Sequence, residues 1–417
     1  MSQSANTPSA DADANLRVAG RRDRADTPRG FKNILCLDDF EEPARRFLPR
    51  PIFGYVQGGV ETNTARDRSR SAFLDWEFMP RALISTRARH QRTTLMGRTY
   101  DLPFGFPPMG GTSLAAYHGD SVLAEVAAEL NTVAIQSGAS LTPMEKVRAV
   151  GPTTWFQAYL PGDKDIIVPL VERVERAGFD TLVVTVDVQV PANRENNVRT
   201  GYNSPLRPTL RLIWDCALRP GWSFGVFLRT ILDQGELPHI ENMGFERIPV
   251  MGNLERPRLA RDGLCWEHIE LIRKMWKGKL VLKGVLSPQD TRIARESGVD
   301  GVLVSSHGGR QLDHSMAPLR ALPGVVAEAG NMGVMLDGGI RRGTDVLKAL
   351  ALGAQFVFIG RPFLYAAAIA GAVGVRHAAS LLRDEISRDM AMLGVTSPAG
   401  MKRELLVRYA TGTKDEG

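Results

Sequence analysis

Apolar residues along the chain gather into eight short, nearly unbroken runs. They are FGFPPM (104–109), TVAIQS (132–137), TWFQAY (154–159), TLVVTVD (181–187), KLVLKG (279–284), DGVLVSS (300–306), GVMLD (333–337) and QFVFIG (355–360). Such runs suit parallel strands buried on both faces, because crossover helices cover each side of the sheet. The segments between them have a helical period instead. DKDIIVPLVERVERAG sets Ile167, Leu170, Val171 and Val174 on one stripe and stops at Gly178. LSPQDTRIARESG opens with Ser287 as a candidate N-cap and Pro288 at the first helical position, then stops at Gly298. Eight strand–helix units in roughly 260 residues predict an α/β fold of the (β/α)8 TIM-barrel type, whose usual length is about 250 residues. A doubly wound open sheet is the alternative.

Between the fourth and fifth runs the connection is far too long for one crossover and must hold an insertion, about 195–278. Within it, RLIWDCALRPGWSFGVFLRTIL combines arginines with Trp214, Trp222, Phe224 and Phe227. Aromatic and basic residues together favour a membrane interface, and a lid or subunit-packing element is the competing reading. Residues 1–30 are rich in Ser, Ala, Asp, Arg and Pro, contain no apolar signal-like stretch, and read as a disordered tail before a single barrel domain over 31–417. The small-apolar run from Ala366 is too short to span a bilayer and reads as a packed helix.

Composition narrows the function classes only modestly. Apolar residues at 43% and charged residues at 24% are ordinary for a globular enzyme. A net charge of +6 over 417 residues favours anionic small molecules or an anionic membrane surface over nucleic acid. Cys36, Cys216 and Cys265 have no CxxC spacing, which points to a reducing, cytoplasmic compartment, with peripheral attachment to the inner face of the membrane if the insertion is interfacial. The absence of GxGxxG after a strand, of GxxxxGK[ST] and of HExxH argues against a nicotinamide Rossmann site, a P-loop and a zinc protease site.

In a barrel of this kind the active site forms where the strands end, so the ends of the runs are to be read together. DGGIRRGTD (337–345) and IGRP (359–362), with Asp337, Gly339, Arg341, Gly360 and Arg361, follow the seventh and eighth strands, where glycine amides and arginines suit a phosphate. A glycine-rich turn alone also ends a strand for steric reasons; two with arginine at these strands are stronger. His307 is a candidate proton acceptor and Asp187 its orienting partner. Arg310, Arg194, Tyr159 and Tyr55 offer donors to a small carboxylate. Ser137, Gln157, Thr185 and Lys283, with backbone at Pro108, Met109 and Gly110, suit a ring with amide-like edges that gains negative charge. Each could singly be a satisfied core group; their convergence is the argument.

SSHGGRQLD, VVTVD, FQAY, LVLKGV, DGGIRRGTDVLKALALGA and FIGRP together resemble the FMN-dependent L-2-hydroxy acid oxidising family, which includes glycolate oxidase, L-lactate dehydrogenases and oxidases, and mandelate dehydrogenase. The resemblance runs from about residue 38 to about residue 401. It implies FMN as cofactor, a homo-oligomer (a tetramer), His307 as the group that takes the substrate's proton, and Asp187 as its orienter. It further implies Arg310, Arg194 and Tyr55 around the substrate carboxylate, and Tyr159 near hydroxyl and carboxylate. Backbone at Pro108–Gly110 would lie by the reactive nitrogen, with Ser137, Gln157 and Thr185 on the ring and Lys283 beside its charging edge. Asp337, Gly339, Arg341, Gly360 and Arg361 would hold the ribityl chain and phosphate. Two residues depart from the family's pattern: Ser306 stands where an Asn precedes the histidine, and Met109 where a Thr lies over the flavin. The resemblance implies a dehydrogenase that oxidises a lactate- or mandelate-like L-2-hydroxy acid to the 2-oxo acid and passes the electrons to a quinone or other carrier. The alternatives are an oxygen-using oxidase making hydrogen peroxide and an FMN barrel isomerase or reductase acting on a phosphorylated substrate.

Overall fold

The computed structural model describes residues 30–203, 205–244, 247–251 and 261–409. The expected N-terminal tail lies outside the described residues, apart from Gly30. The eight apolar runs form eight parallel strands: β1 (Phe104–Gly105), β2 (Ile135–Ser137), β3 (Trp155–Ala158), β4 (Thr181–Thr185), β5 (Lys279–Val285), β6 (Gly301–Val304), β7 (Gly333–Asp337) and β8 (Phe356–Phe358). Hydrogen-bonded neighbours follow sequence order from β2 to β8, and β8 pairs with β1. A parallel bridge between Phe106 and Ala134 then joins β1 to β2, with Ile135 N–H donating to the Phe106 carbonyl at 2.9 Å. The sheet is therefore a closed (β/α)8 barrel, and the open-sheet alternative falls away.

Crossover helices α1 (Gly119–Glu129), α2 (Met144–Val150), α3 (Lys164–Arg176), α4 (Trp266–Met275), α5 (Pro288–Glu296), α6 (Pro318–Ala329), α7 (Gly343–Ala351) and α8 (Arg361–Leu393) surround it. In α3 the buried residues are Ile167, Leu170, Val171 and Val174, the stripe read from the sequence. Helix α5 starts as expected, with the Ser287 side chain accepting from the Asp290 amide and Pro288 in the first turn. Helix α8 is long and apolar enough to cross a membrane by length and composition, but it is broken at Ala370–Gly371. Tyr365, Ala366 and Ala367 on one side of the break, and Ala378, Leu381 and Leu382 on the other, are buried.

The barrel interior is a compact apolar plug of Ile135, Trp155, Val183, Val281, Leu303, Met335, Phe356 and Phe358. A hairpin ahead of the barrel, Thr93–Leu95 paired with Arg98–Tyr100, closes its N-terminal end: Leu95 and Tyr100 join the plug, and Tyr100 meets Phe356 edge-on at 5.7 Å. The other end is left open for a site. The insertion after β4 folds as short helices, Glu195–Thr200, Leu210–Ala217 and Arg229–Gln234, with a wider turn at Ser223–Leu228 and a two-stranded ribbon of His239–Ile240 and Ile248–Pro249. The final part of the stretch assigned to it in the sequence, Trp266–Met275, is the barrel's own crossover α4.

Phe356 is fully buried between Tyr100 and Phe358. Phe356→Ala is expected to cost about 3–5 kcal/mol of stability, measured by chemical denaturation with the cofactor removed.

Candidate active site

Successive residues of a strand point to opposite faces, so every second residue of a barrel strand faces inward. The interior residues Ile135, Trp155, Val183, Val281, Leu303 and Met335 are followed two positions later by Ser137, Gln157, Thr185, Lys283, Ser305 and Asp337. All six of these polar residues are buried. A polar ring thus crowns the apolar plug at the C-terminal end of the strands.

The ring is wired around one buried cation. Lys283 Nζ donates to Ser305 Oγ at 3.1 Å and lies 3.6 Å from Asp337 Oδ2. Burial pulls its pKa down, yet the carboxylates of Asp337 and Asp187 outweigh that and hold the ammonium charged above its ordinary range. Ser137 Oγ donates to Gln157 Oε1 at 3.1 Å, which fixes the amide and leaves its Nε2 with no acceptor. Thr185 Oγ1 and Asp337 Oδ1 are also without protein partners. Polar atoms orphaned at one level of a core cost on the order of 1–3 kcal/mol each and call for a ligand with complementary edges.

The loop after β6 holds the titratable pair. His307, Gly308 and Gly309 all adopt left-handed backbone, with φ of 55°, 67° and 71°. A Cβ on Gly309 would lie 2.3 Å from the backbone nitrogen of Arg66, so only glycine admits that close approach. The His307 amide donates to Ser305 Oγ at 2.9 Å, and its Nδ1 lies 3.0 Å from Asp187 Oδ1. With Nδ1–H given to the carboxylate, Nε2 is the free lone pair, 3.4 Å from the Tyr159 hydroxyl. Burial first, then the Lys283 charge, push the His307 pKa below its ordinary value, with Asp187 opposing. Burial tends to raise the Asp187 pKa, and the His307 and Lys283 charges lower it overall. At neutral pH the site therefore holds an aspartate and a neutral imidazole able to take a proton.

Tyr55 is carried on a helix, Arg50–Gln57, laid across the barrel mouth. The last carbonyls of any helix lack internal partners, and here two arginines supply them. Arg310 Nη1 donates to the Tyr55 and Gly58 carbonyls at 2.6 and 2.7 Å, and Arg361 donates to those of Val56, Gly58 and Gly308. Burial lowers the Arg310 pKa to about 10 and that of Arg361 to about 9, and neither meets a carboxylate among the described residues. Two half-buried cations without a carboxylate partner among the described residues make the cavity receptive to anions. Arg194 donates to the Arg310 carbonyl at 3.1 Å and to Gln311 Oε1. Arg341 pairs with Asp38 at 3.2 Å.

Of the residues singled out in the sequence, all but Ser137, Gln157, Thr185 and Asp187 line one cavity of about 260 Å3 at the barrel mouth. Ser137 and Gln157 lie beneath it in the polar ring, while Thr185 and Asp187 line a neighbouring cavity of about 550 Å3. Ser306, the departure noted above, faces Ser69 Oγ at 3.4 Å and lines that neighbouring cavity too. Sequence reasoning passed over Ser305, which holds both Lys283 and the His307 amide. The inward face of β6 was the available signal, because Leu303, Ser305 and His307 are two residues apart. Tyr202, stacked on Tyr55 at 4.4 Å, and Arg261, over the Tyr159 ring at 5.0 Å, come from the insertion region and had no sequence signal.

The sequence pattern described as FMN-dependent dehydrogenase matches residues 44–408. An L-lactate oxidase of Lysinibacillus sphaericus is 35% identical over 90% of this chain and 93% of its own length. An L-lactate dehydrogenase of Caulobacter vibrioides is 36% identical over 89% of this chain and 97% of its own. Among solved structures, that of the monotopic membrane protein (S)-mandelate dehydrogenase superposes with a TM-score of 0.83 at 29% identity, covering 91% of this chain and all of that one.

The His307 geometry generates a measurable expectation. In NMR titration, His307 is expected to protonate below the 6.5 of an unperturbed histidine, and Asp187→Asn is expected to lower that value further, since the carboxylate favours the imidazolium.

Proposed function

This chain belongs to the FMN-dependent dehydrogenase family, and on that premise we propose that it oxidises an L-2-hydroxy acid to the 2-oxo acid and passes the electrons to a quinone or similar carrier. The observation that carries this reading is the His307–Asp187 pair, with Nε2 beside Tyr159 in a cavity shared with Arg194, Arg310 and Tyr55. Simple binding needs no proton acceptor.

The residues present fit the cofactor. Gln157 Nε2, Thr185 Oγ1 and Asp337 Oδ1 are buried and unpartnered, as an amide-edged ring with a ribityl chain would require. The Gly339 and Gly360 backbone, with Arg341 and Arg361, would take the phosphate, and Pro108–Gly110 would lie along the ring. Bound FMN supplies a two-electron sink for the substrate's α-carbon. Lys283, already held charged, would offset the negative charge that the cofactor gains on reduction.

Oxidation of a 2-hydroxy acid also releases protons, and these are the protein's task. Arg310 and Arg194, with the Tyr55 hydroxyl, hold the carboxylate, which compensates the half-buried Arg310 charge. His307 Nε2 takes a proton from the substrate, and the charge that forms on the ring is stabilised by Asp187 through Nδ1. Tyr159 orients the oxygen at the reacting carbon.

The choice of acceptor rests on the insertion. Its helices bury Leu212, Trp222 and Val226, with Trp222 Nε1 bonded to the Leu114 carbonyl at 2.7 Å, yet expose Leu210, Ile213, Trp214, Phe224 and Leu232. An outward apolar layer flanked by exposed Arg211 and Arg229 suits a bilayer interface. The similarity to a monotopic membrane protein supports the same arrangement.

Two outcomes are expected. His307→Gln should retain FMN in its absorbance spectrum while anaerobic flavin reduction by substrate falls about 10²–10⁴-fold; an unchanged reduction rate refutes the assignment. The wild-type enzyme should float with anionic vesicles and turn over faster with a quinone analogue than with oxygen, whereas Trp214→Ser together with Phe224→Ser should abolish flotation and leave anaerobic reduction intact.

A further inference from the structure

The catalytic cavity does not end at Tyr55. A side cavity of about 180 Å3 opens beyond it, and Tyr55, Gly110, Ala139 and Arg194 line both spaces. At their junction the Tyr55 hydroxyl donates to the Gly110 carbonyl at 3.2 Å. The far wall is Leu114, Leu141, Tyr202, Ile240 and Val250, with Asn197 as the added polar side chain. Among the described residues no acidic or lysine side chain lines it.

The wall is built and braced. Tyr202, Ile240 and Val250 come from the insertion, and Ile240 pairs with Ile248 in its ribbon. Asn242, fully buried, ties the ribbon to the loop after β2: its Nδ2 donates to the Thr142 carbonyl at 2.8 Å, and its Oδ1 accepts from the Met144 amide at 3.0 Å. The Glu241 amide adds a bond to the Ser140 carbonyl at 3.1 Å, and the Leu206 amide one to the Val250 carbonyl at 2.7 Å. A space so held is present before any ligand arrives.

We infer that the side cavity is the specificity pocket for the substrate's 2-substituent, and that the acid oxidised here has a bulky apolar group of phenyl or branched-alkyl size. This rests on the 2-hydroxy acid reading above. The size argument is direct, since an apolar cavity of about 150 Å3 takes up a benzene ring. The hydrogen of glycolate or the methyl of lactate would leave most of the pocket unfilled, and each further buried methylene is worth roughly a factor of four in binding.

The test uses the FMN-loaded enzyme and two readouts. Calorimetric dissociation constants are measured for pyruvate, 4-methyl-2-oxopentanoate and phenylglyoxylate, and anaerobic flavin reduction is followed with the matching L-2-hydroxy acids. The two larger ligands are expected to bind at least tenfold more tightly than pyruvate, in the same order as reduction efficiency. Val250→Trp, which fills the pocket, should remove that advantage and leave pyruvate within about twofold. Should that variant fail to fold, Ile240→Ala, which enlarges the pocket, should shift the preference towards the larger aryl ligand. Pyruvate and lactate preferred throughout, or a folded variant that weakens all ligands equally, would overturn the pocket assignment while leaving the enzyme assignment standing. No reduction by any of the acids overturns both.

Discussion

One cation buried at the top of a closed barrel, Lys283, sets the terms for everything around it. A buried ammonium is tolerated only where carboxylates and acceptors surround it. Asp337, Asp187 and Ser305 meet that need from β7, from the end of β4 and from the end of β6. They can converge because closure fixes which face of every strand points inward. The same two-residue period that fills the barrel with Trp155, Val281 and Leu303 delivers Gln157, Lys283 and Ser305 one step higher. The polar ring is left incomplete at Gln157, Thr185 and Asp337, so FMN placed there as proposed would complete a core as well as supply electron chemistry. Binding of FMN and stability of the fold are accordingly linked by mass action.

Much of this was legible in the chain. All eight strands stand out because strands buried on both faces read as unbroken apolar runs, and the paired residues of the site sit where those runs stop. What stayed hidden was whatever depends on closure or on distant contact. Nothing local says that Asp187 and His307, 120 residues apart, share a hydrogen bond. Ser305 and Ser306 are chemically identical in the sequence, and only the inward face of β6 separates the one that holds Lys283 from the one that faces Ser69. Arg310 and Arg361 are expected from the sequence to bind anions, but nothing in it marks them as caps on the helix that carries Tyr55, since that role is created by a segment some 250–300 residues earlier.

The insertion illustrates the same limit from the other side. Its composition announces apolar and aromatic residues, but not which of them point inward. Trp222 is buried against the loop after β1, whereas Trp214, eight residues before it, is exposed. One face of this segment thus walls the side cavity and the opposite face meets the surroundings, so that, on the readings proposed above, substrate choice and the route for departing electrons would both depend on a single added piece of chain.

The left-handed backbone at His307 has a consequence for how this protein varies. A non-glycine residue in that conformation costs on the order of 1 kcal/mol, and the fold as such would be better served there by glycine or asparagine. On the proposed role of His307, proton transfer and backbone preference pull position 307 in opposite directions. The hydrogen bond from its ring to the half-buried Asp187 carboxylate offsets that strain, so loss of the imidazole would relax the backbone and at the same time leave the carboxylate unpaired.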